Sequence, residues 1–275
     1  MSSSAPIQEQ IQSIITLYNN EQISEAIVLI KTLNKQHPNN PLLFNLMGVC
    51  YKAIKQSNDA IRMFENAINI KSDYAEAYYN LGVIFQELSQ FNKSIDSYQN
   101  ALKILPNYPD AHNNLGIIYL ENGELDKSIN HFEWAVAFKY DFAEAHNNLG
   151  SAFQKKGQLE NARNSYKKSI ALKTNFSQAH NNMGILLQKF GDMTGALISY
   201  EKAITFKPEF ASAHFNLSAL KKYSENDAQI TQMQSILSSS STSPSNKAFL
   251  CFALAKVNED LGNQNELFKF LNEGN

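Results

Sequence analysis

The sequence contains little arginine, little cysteine and no long apolar run. Arg62 and Arg163 are the only arginines among 275 residues, and the formal net charge is −2. With so few guanidinium groups and no cationic field, binding to nucleic acid is not expected. Cys50 and Cys251 lie in separate apolar segments, which is typical of a reducing compartment and argues against a disulfide framework. No apolar run reaches the roughly 20 residues that span a bilayer, so no membrane partner is expected either.

Residues 1–6 consist of methionine, serine, alanine and proline, without a basic segment or a following apolar segment. We therefore expect a disordered N-terminus and no secretory signal. Together with the cysteine usage, this composition favours a soluble protein of the cytoplasm.

Glycine is scarce as well, but its spacing is regular. Five of the eleven glycines follow one another at intervals of 34 residues: Gly48, Gly82, Gly116, Gly150 and Gly184. A fixed period of this length indicates stacked structural repeats. Counting from Ile7 divides the chain into six repeats, 7–40, 41–74, 75–108, 109–142, 143–176 and 177–210, followed by the start of a seventh, 211–220.

Each repeat carries the pattern of two amphipathic helices. Apolar residues at positions 7 and 11 flank the glycine of position 8, and small residues at positions 20 and 27 flank a large one at position 24. These offsets of three and four place the residues on one stripe of each helix. Because a glycine inside a helix costs about 1 kcal/mol relative to alanine, we expect position 8 to permit close contact between helices. Glycine at position 15 and proline at positions 1 and 32 mark the helix ends.

The pattern, as in Ala75-Glu-Ala-Tyr-Tyr-Asn-Leu-Gly82 of the third repeat, resembles the tetratricopeptide repeat. The resemblance covers residues 7–220 and implies an all-α fold, a right-handed superhelical solenoid of helical hairpins. The first repeat departs from the pattern, because Ser13 and Ile14 replace the Leu-Gly pair, as expected of a terminal repeat.

The repeat pattern fails after Ser218. Residues 221–247 are predicted to form an irregular segment with a short helix, and the repeat register returns over 248–275 as a partial hairpin that we expect to be truncated. The apolar residues that such an uncovered helix would expose are Leu267, Phe268, Phe270 and Leu271. This tail resembles the segment that joins the repeats to the catalytic domain in bacterial repeat-containing sulfotransferases.

Histidine at position 4 is the one candidate for metal or catalytic chemistry, and it recurs as His112, His146, His180 and His214. Neighbouring first helices have axes about 8–10 Å apart, which is wide for a shared metal site with bonds of about 2 Å. Position 4 also lies on the apolar stripe, so we expect half-buried packing residues. The sequence has no phosphate-binding loop, paired-cysteine motif or nucleophile elbow. We therefore expect no cofactor, no metal site and no enzymatic activity in this chain.

Asparagine at position 6 is the more informative pattern, because its amide competes for backbone hydrogen bonds and makes it a poor helix former. Position 6 holds Asn80, Asn114, Asn148, Asn182 and Asn216, and position 5 adds Asn45, Asn113, Asn147 and Asn181. Two explanations remain open: a structural tie to the neighbouring hairpin, or a ladder of amides that face water and bind a peptide backbone. The repeats resemble those of O-linked N-acetylglucosamine transferases, and that resemblance implies the second explanation.

Further groove residues are expected around the asparagines. Gln154 and Gln188 occupy position 12 of the fifth and sixth repeats. Position 13 changes from acidic to basic along the chain, with Glu87, Glu121, Lys155 and Lys189 in repeats three to six. The groove is therefore predicted to change sign along its length.

The function predicted from these patterns is a protein-interaction scaffold, which binds an extended peptide or a helix of a partner protein in its concave groove. The alternative is the substrate-recognition arm of a larger sulfotransferase or glycosyltransferase, with a catalytic domain beyond Asn275. Self-association through the C-terminal hairpin is a third interpretation.

Overall fold

A computed structural model describes residues 7–275, which form sixteen α-helices and no β-strand. The chain divides into two compact units, with the boundary between Phe138 and Lys139. The first unit contains α1 (Ile7–Asn19), α2 (Ile23–Gln36), α3 (Pro41–Ala53), α4 (Ser57–Ile70), α5 (Ala75–Glu87), α6 (Phe91–Ile104), α7 (Pro109–Glu121) and α8 (Leu125–Phe138). The second unit contains α9 (Ala143–Lys155), α10 (Leu159–Leu172), α11 (Ser177–Lys189), α12 (Met193–Phe206), α13 (Ala211–Ser218), α14 (Ala228–Ser238), α15 (Pro244–Asp260) and α16 (Gln264–Gly274).

Each predicted repeat is one hairpin, with a first helix of 13 residues and a second of 14. None of the helices within 7–275 combines the length and the apolar character needed to cross a bilayer. Residues 1–6, for which the sequence predicts disorder, lie outside the described residues.

The turn between the two helices always has a left-handed residue at position 15. Glycine takes this conformation at Gly123, Gly157 and Gly191, with φ of 78–80°. In the first three repeats the same place is held by Glu21, Lys55 and Ser89, with φ of 57–61°. A left-handed residue ends a helix by redirecting the chain, and glycine does so without a steric penalty. The turn is thus a property of the repeat rather than of glycine alone.

The glycine at position 8 lies against the aromatic ring at position 24 of the same hairpin. A Cβ atom added to Gly116 would lie 2.6 Å from Cε1 of Phe132, and the other four position-8 glycines show 2.5–2.6 Å. The expected close contact at position 8 is therefore confirmed. Where position 20 is serine, its hydroxyl donates to the glycine carbonyl, at 2.8 Å for Ser94 to Gly82 and for Ser128 to Gly116.

The position-4 histidines hold the loops that join consecutive repeats. Each Nε2 donates to a backbone carbonyl six residues earlier, at 2.8–3.1 Å, and these carbonyls belong to Pro106, Tyr140, Thr174 and Pro208. Burial lowers the pKa of all four imidazoles below its ordinary value. The histidines pack as expected, but His112, His180 and His214 are buried and only His146 is half-buried, and spacing did not reveal the hydrogen bond.

His112 has a second partner in His131 of α8, and the two Nδ1 atoms lie 3.0 Å apart. Because Nε2 of His112 donates to the Pro106 carbonyl, Nδ1 of His112 accepts and Nδ1 of His131 donates. Burial and the neighbouring His112 together lower the pKa of His131 to about 4. The hydrogen bond between His112 and His131 therefore forms when both imidazoles are neutral.

This pair should make the first unit sensitive to acid. The pKa of a histidine is about 6.5 in the unfolded chain, whereas the pKa of folded His131 is about 4. The stability that neutral His131 contributes is thus present above the unfolded pKa and is lost as the pH falls from about 6.5 to about 4. His131→Leu should reduce the loss by about 1–2 kcal/mol for a partly exposed ring, measured by urea unfolding at neutral pH and near the lower pKa. An identical pH dependence in both proteins would contradict this.

After the sixth repeat, the second unit departs from the hairpin pattern. α13 ends at Ser218 instead of the predicted 220, and the helix predicted from 248 begins at Pro244. Ser243 accepts a hydrogen bond from the Asn246 backbone, and proline in the first turn needs no donor, so this sequence starts a helix early. α15 forms a hairpin with α16 and also contacts α13 and α14.

A buried polar chain ties α14 to α13. The Tyr223 hydroxyl donates to Oε1 of Gln229 at 3.0 Å, and Nε2 of Gln229 donates to Nδ1 of His214 at 3.1 Å. The prediction that the last helix exposes its apolar residues is wrong for Phe270, which is buried against the core of this tail. Leu267 and Leu271 are partly buried there, and Phe268 remains exposed.

Candidate peptide-binding face

Within each unit, first helices of successive repeats contact one another, α3 with α5 and α9 with α11. Positions 2, 6, 9, 12 and 13 of α5, α7, α9 and α11 are half-buried or exposed, whereas the stripe at positions 7, 8 and 11 packs against the second helices. We call the surface formed by positions 2, 6, 9, 12 and 13 the inner face. It is described separately for the two units.

In the second unit, the position-6 asparagines bind the repeat before them. Nδ2 of Asn182 donates to Oδ1 of Asn147, and Nδ2 of Asn216 donates to Oδ1 of Asn181, both at 3.0 Å. The acceptors Asn147 and Asn181 are buried, with 4% and 3% of their surfaces exposed. Each pair therefore links a position-6 amide to a position-5 amide across adjacent repeats.

The first unit repeats the link and shows what replaces it. Nδ2 of Asn80 donates to Oδ1 of buried Asn45 at 3.0 Å. In the next repeat position 5 is Tyr79, so Asn114 donates instead to the hydroxyls of Tyr98 at 3.1 Å and Tyr79 at 3.4 Å. The donor at position 6 thus finds an acceptor even where the asparagine pair is broken.

The expectation that these amides face water is therefore wrong at position 5, and position 6 is only partly accessible. Position 6 is half-buried in all five repeats, and Asn113, Asn147 and Asn181, which were predicted groove residues, are buried beneath the inner face. Asn148 likewise has a partner and is half-buried. The structural tie, one of the two explanations left open by the sequence, is present as a set of hydrogen bonds.

Gln154 and Gln188, the other predicted groove residues, lie half-buried on the inner face of the second unit. The Tyr166 hydroxyl donates to Oε1 of Gln154 at 3.1 Å, and the Tyr200 hydroxyl donates to Oε1 of Gln188 at 3.0 Å. Burial raises the pKa of both tyrosines to about 12, so they remain donors at neutral pH. With its oxygen engaged, each glutamine presents its Nε2 as a donor.

Sequence reasoning treated the position-24 tyrosines as core and missed this role. The signal was a pairing: position 24 is tyrosine in the repeats that have glutamine at position 12, namely Tyr98 with Gln86, Tyr166 with Gln154 and Tyr200 with Gln188. In the second and fourth repeats, position 24 is phenylalanine and position 12 is Lys52 or Leu120. The ring fills the space under the glycine in every case, and the hydroxyl appears where an amide can accept from it.

A cavity of about 220 Å³ opens on the inner face of the second unit. It is lined by Ser151, Gln154, Lys155, Tyr166, Asn182 and Lys189 of α9, α10 and α11. The Tyr166 hydroxyl also contacts Oγ of Ser151 at 3.2 Å, and Oδ1 of Asn182 accepts from Gln178 at 3.1 Å. The cavity is thus lined by residues from two consecutive repeats.

The corresponding positions of the first unit are acidic. Glu87 and Glu121 at position 13 are exposed, and Glu87 forms an ion pair with Lys52 of the preceding repeat at 3.0 Å. The change of sign is confined to position 13, which is acidic in the first unit and basic in the second, whereas position 2 of α9 is the exposed Glu144. Over 7–275, no three histidine, cysteine or acidic side chains are grouped to hold a metal ion.

Family comparisons agree with this architecture. A family model described as TPR repeat matches residues 51–89, 84–123 and 118–157, and a second, described as tetratricopeptide repeat, matches 143–176 and 177–210. Together the matches run from residue 51 to residue 210, more than half of the chain. The chain is a tetratricopeptide repeat protein.

Solved structures of other proteins share the fold of this tetratricopeptide repeat chain. YrrB, described as a TPR protein with an unusual peptide-binding site, has a TM-score of 0.56 at 17% identity, covering 67% of this chain and 95% of its own. MamA from Desulfovibrio magneticus RS-1 has a TM-score of 0.56 at 19% identity, covering 62% and 97%. Pseudomonas aeruginosa PilF has a TM-score of 0.63 at 17% identity, covering 85% and 97%. At such identities the likeness shows the fold alone, an all-α superhelical solenoid.

No curated protein matches the chain. The finer resemblances of this tetratricopeptide repeat protein, to glycosyltransferase repeats and to a sulfotransferase tail, therefore stay predictions. The tail, 221–275, lies outside the residues that the family models match.

Proposed function

We propose that this tetratricopeptide repeat protein is an interaction scaffold and that the inner face of its second unit binds an extended peptide. The peptide would lie along α9 and α11, with its backbone on the glutamine amides. The observation that carries the proposal is the pair of oriented amides, Gln154 and Gln188, whose oxygens are engaged by buried tyrosines.

Orientation matters because a free glutamine amide pays side-chain entropy when it binds, whereas a hydrogen-bonded one has already lost part of that freedom. A row of fixed N–H donors matches the backbone carbonyls of an extended chain, whatever its side chains are. The asparagines contribute differently from the sequence prediction. They lock adjacent first helices together and so fix the spacing of the glutamines, which is a positioning role.

The likeness to YrrB supports the proposal only in showing that this fold can carry a peptide-binding site. The enzyme-arm alternative has no structural observation in its favour among the described residues. Self-association through α16 likewise stays a prediction.

The test starts with peptides selected from a random phage-displayed library against the full chain. We expect Gln154→Ala/Gln188→Ala to weaken the selected peptide by about five- to 150-fold, since two hydrogen bonds of about 0.5–1.5 kcal/mol each are lost. Binding is measured by fluorescence anisotropy, and circular dichroism checks the fold.

The matched control is Asn130→Ala/Asn164→Ala, which removes two exposed amides from the second helices α8 and α10. This control should bind like the parent chain. Equal weakening in both double variants, or a library that yields no binding peptide, would overturn the proposed function.

A further inference from the structure

Several acceptor atoms line the cavity between α9, α10 and α11. The groups that it presents to a ligand are nevertheless hydrogen-bond donors. The Tyr166 hydroxyl is directed at Gln154 and Ser151, and Oδ1 of Asn182 accepts from Gln178. Nδ2 of Asn182 is committed to buried Asn147. The groups left to meet a ligand are the Gln154 amide nitrogen and the ammonium groups of Lys155 and Lys189.

None of the six residues that line this cavity is acidic. Lys155 and Lys189 are both exposed, one on α9 and one on α11, so two positive charges from consecutive repeats border the same space. Two ammonium groups and an amide donor around one opening form a surface that fits an anion. A cationic group would be repelled by the two ammonium groups.

The size of the space limits what the anion is attached to. A cavity near 220 Å³ is below the roughly 300–1,000 Å³ of sites that enclose whole small molecules. It is large enough for one side chain that enters from a chain lying outside. Under the proposed function, a backbone held on the Gln154 amide would lie beside this opening, because Gln154 also lines the cavity.

We propose that this cavity accepts the carboxylate of an aspartate or glutamate side chain of the bound peptide, held by Lys155 and Lys189. The proposal rests on the proposed function, since the side chain enters from a peptide on the inner face. It assigns that peptide a chemistry: an extended segment with an acidic residue at the position that meets α9 and α11.

The first unit provides an internal contrast. Its position-13 residues are Glu87 and Glu121, and Lys52 partly neutralises the first of these. An acidic side chain would meet like charge there. The second unit alone has the basic pair at position 13, so selectivity for an acidic residue is assigned to it and not to the repeat in general.

The probe is the strongest peptide from the random library described above and its derivatives, in which each aspartate or glutamate is replaced by asparagine or glutamine. We expect one such replacement to weaken binding to the full chain by about tenfold. This is the low end of the effect of a charge-assisted hydrogen bond, because the site is exposed. Lys155→Gln/Lys189→Gln should weaken the acidic peptide by a similar factor. The amide peptide should bind the parent chain and this variant equally.

Lys167→Gln/Lys168→Gln is the control, because it removes the same charge from exposed positions of α10 outside the cavity. It should leave the affinity for the acidic peptide unchanged at moderate salt, where charges beyond about 10 Å are screened. Selected peptides that lack acidic residues, or that bind equally well after Lys155→Gln/Lys189→Gln, overturn the acidic subsite. If those peptides still depend on Gln154 and Gln188, the proposed function survives, and failure of all peptide binding overturns both.

Discussion

Gly116→Leu should lower the free energy of unfolding of the first unit by about 1–3 kcal/mol or more, because it adds a side chain where even a Cβ lies 2.6 Å from Phe132. The gain in helix propensity is about 1 kcal/mol at most and is exceeded by the overpacking. Contacts in a solenoid are mainly between neighbours, so the damage should be centred on α7 and α8. Hydrogen exchange, followed repeat by repeat, measures both its size and its spread.

Ala137→Leu is the control, since it adds a comparable volume at an exposed position of α8. It should change the stability by less than about 0.5 kcal/mol. Shortening the opposing ring with Phe132→Leu should recover part of the stability lost in Gly116→Leu. Uniform loss of protection over all repeats, or equal effects of Gly116→Leu and Ala137→Leu, would contradict the contact between positions 8 and 24.

Asn182→Leu should destabilise the second unit by about 1–3 kcal/mol, because it leaves Oδ1 of buried Asn147 without its donor. Replacing both partners removes the unsatisfied group, so Asn147→Leu/Asn182→Leu should recover most of the loss. Urea unfolding of the two single variants and the double variant gives the coupling energy of the pair.

Additive effects of the two substitutions would contradict the tie between adjacent repeats. The same cycle on Asn45 and Asn80 provides a replicate in the first unit, where the same bond is 3.0 Å long. Asn114→Leu is a further comparison, because its partners there are tyrosine hydroxyls and not an asparagine. The Tyr98 hydroxyl keeps its hydrogen bond to Gln86 after that change, so the loss should be smaller.

Much of the fold could be predicted because the period of 34 residues repeats the same packing problem. The glycines at position 8 and the histidines at position 4 recur at fixed places, and each repeat adds evidence for the same contact. Gly116 against Phe132 is one example, since the need for a residue without a side chain is visible in five repeats. The place of the turn between the two helices followed from the same pattern.

The candidate site was harder to predict, because a pattern gives the position of a residue on a helix but not its hydrogen-bond partners. Asn182 was correctly placed on the first helix, yet its amide turns to Asn147 and not to water. The role of Tyr166 was missed, since a large ring at position 24 satisfies the packing pattern whether or not it carries a hydroxyl. Which hydrogen-bond partner a side chain takes depends on distances between repeats, and these cannot be read from a single sequence.

In the tail, residues 221–275, the 34-residue pattern no longer predicts where helices begin. α15 begins at Pro244 because Ser243 caps it locally, and this capping is independent of the 34-residue register. The hairpin of α15 and α16 was predicted, but not that Phe270 belongs to a buried core that also includes Met233 of α14. Local capping and tertiary contact replaced periodicity as the determinants of structure there.

The central claim is that a peptide binds on the oriented glutamine amides of the second unit. NMR of the full chain, labelled with ¹⁵N and titrated with a library-selected peptide, tests it most directly through the side-chain amide signals. We predict that the largest changes occur at the Nε2 groups of Gln154 and Gln188, while Asn130 and Asn164 on the second helices stay unchanged. Saturable binding that shifts Asn130 or Asn164 and leaves both glutamines unchanged would contradict it.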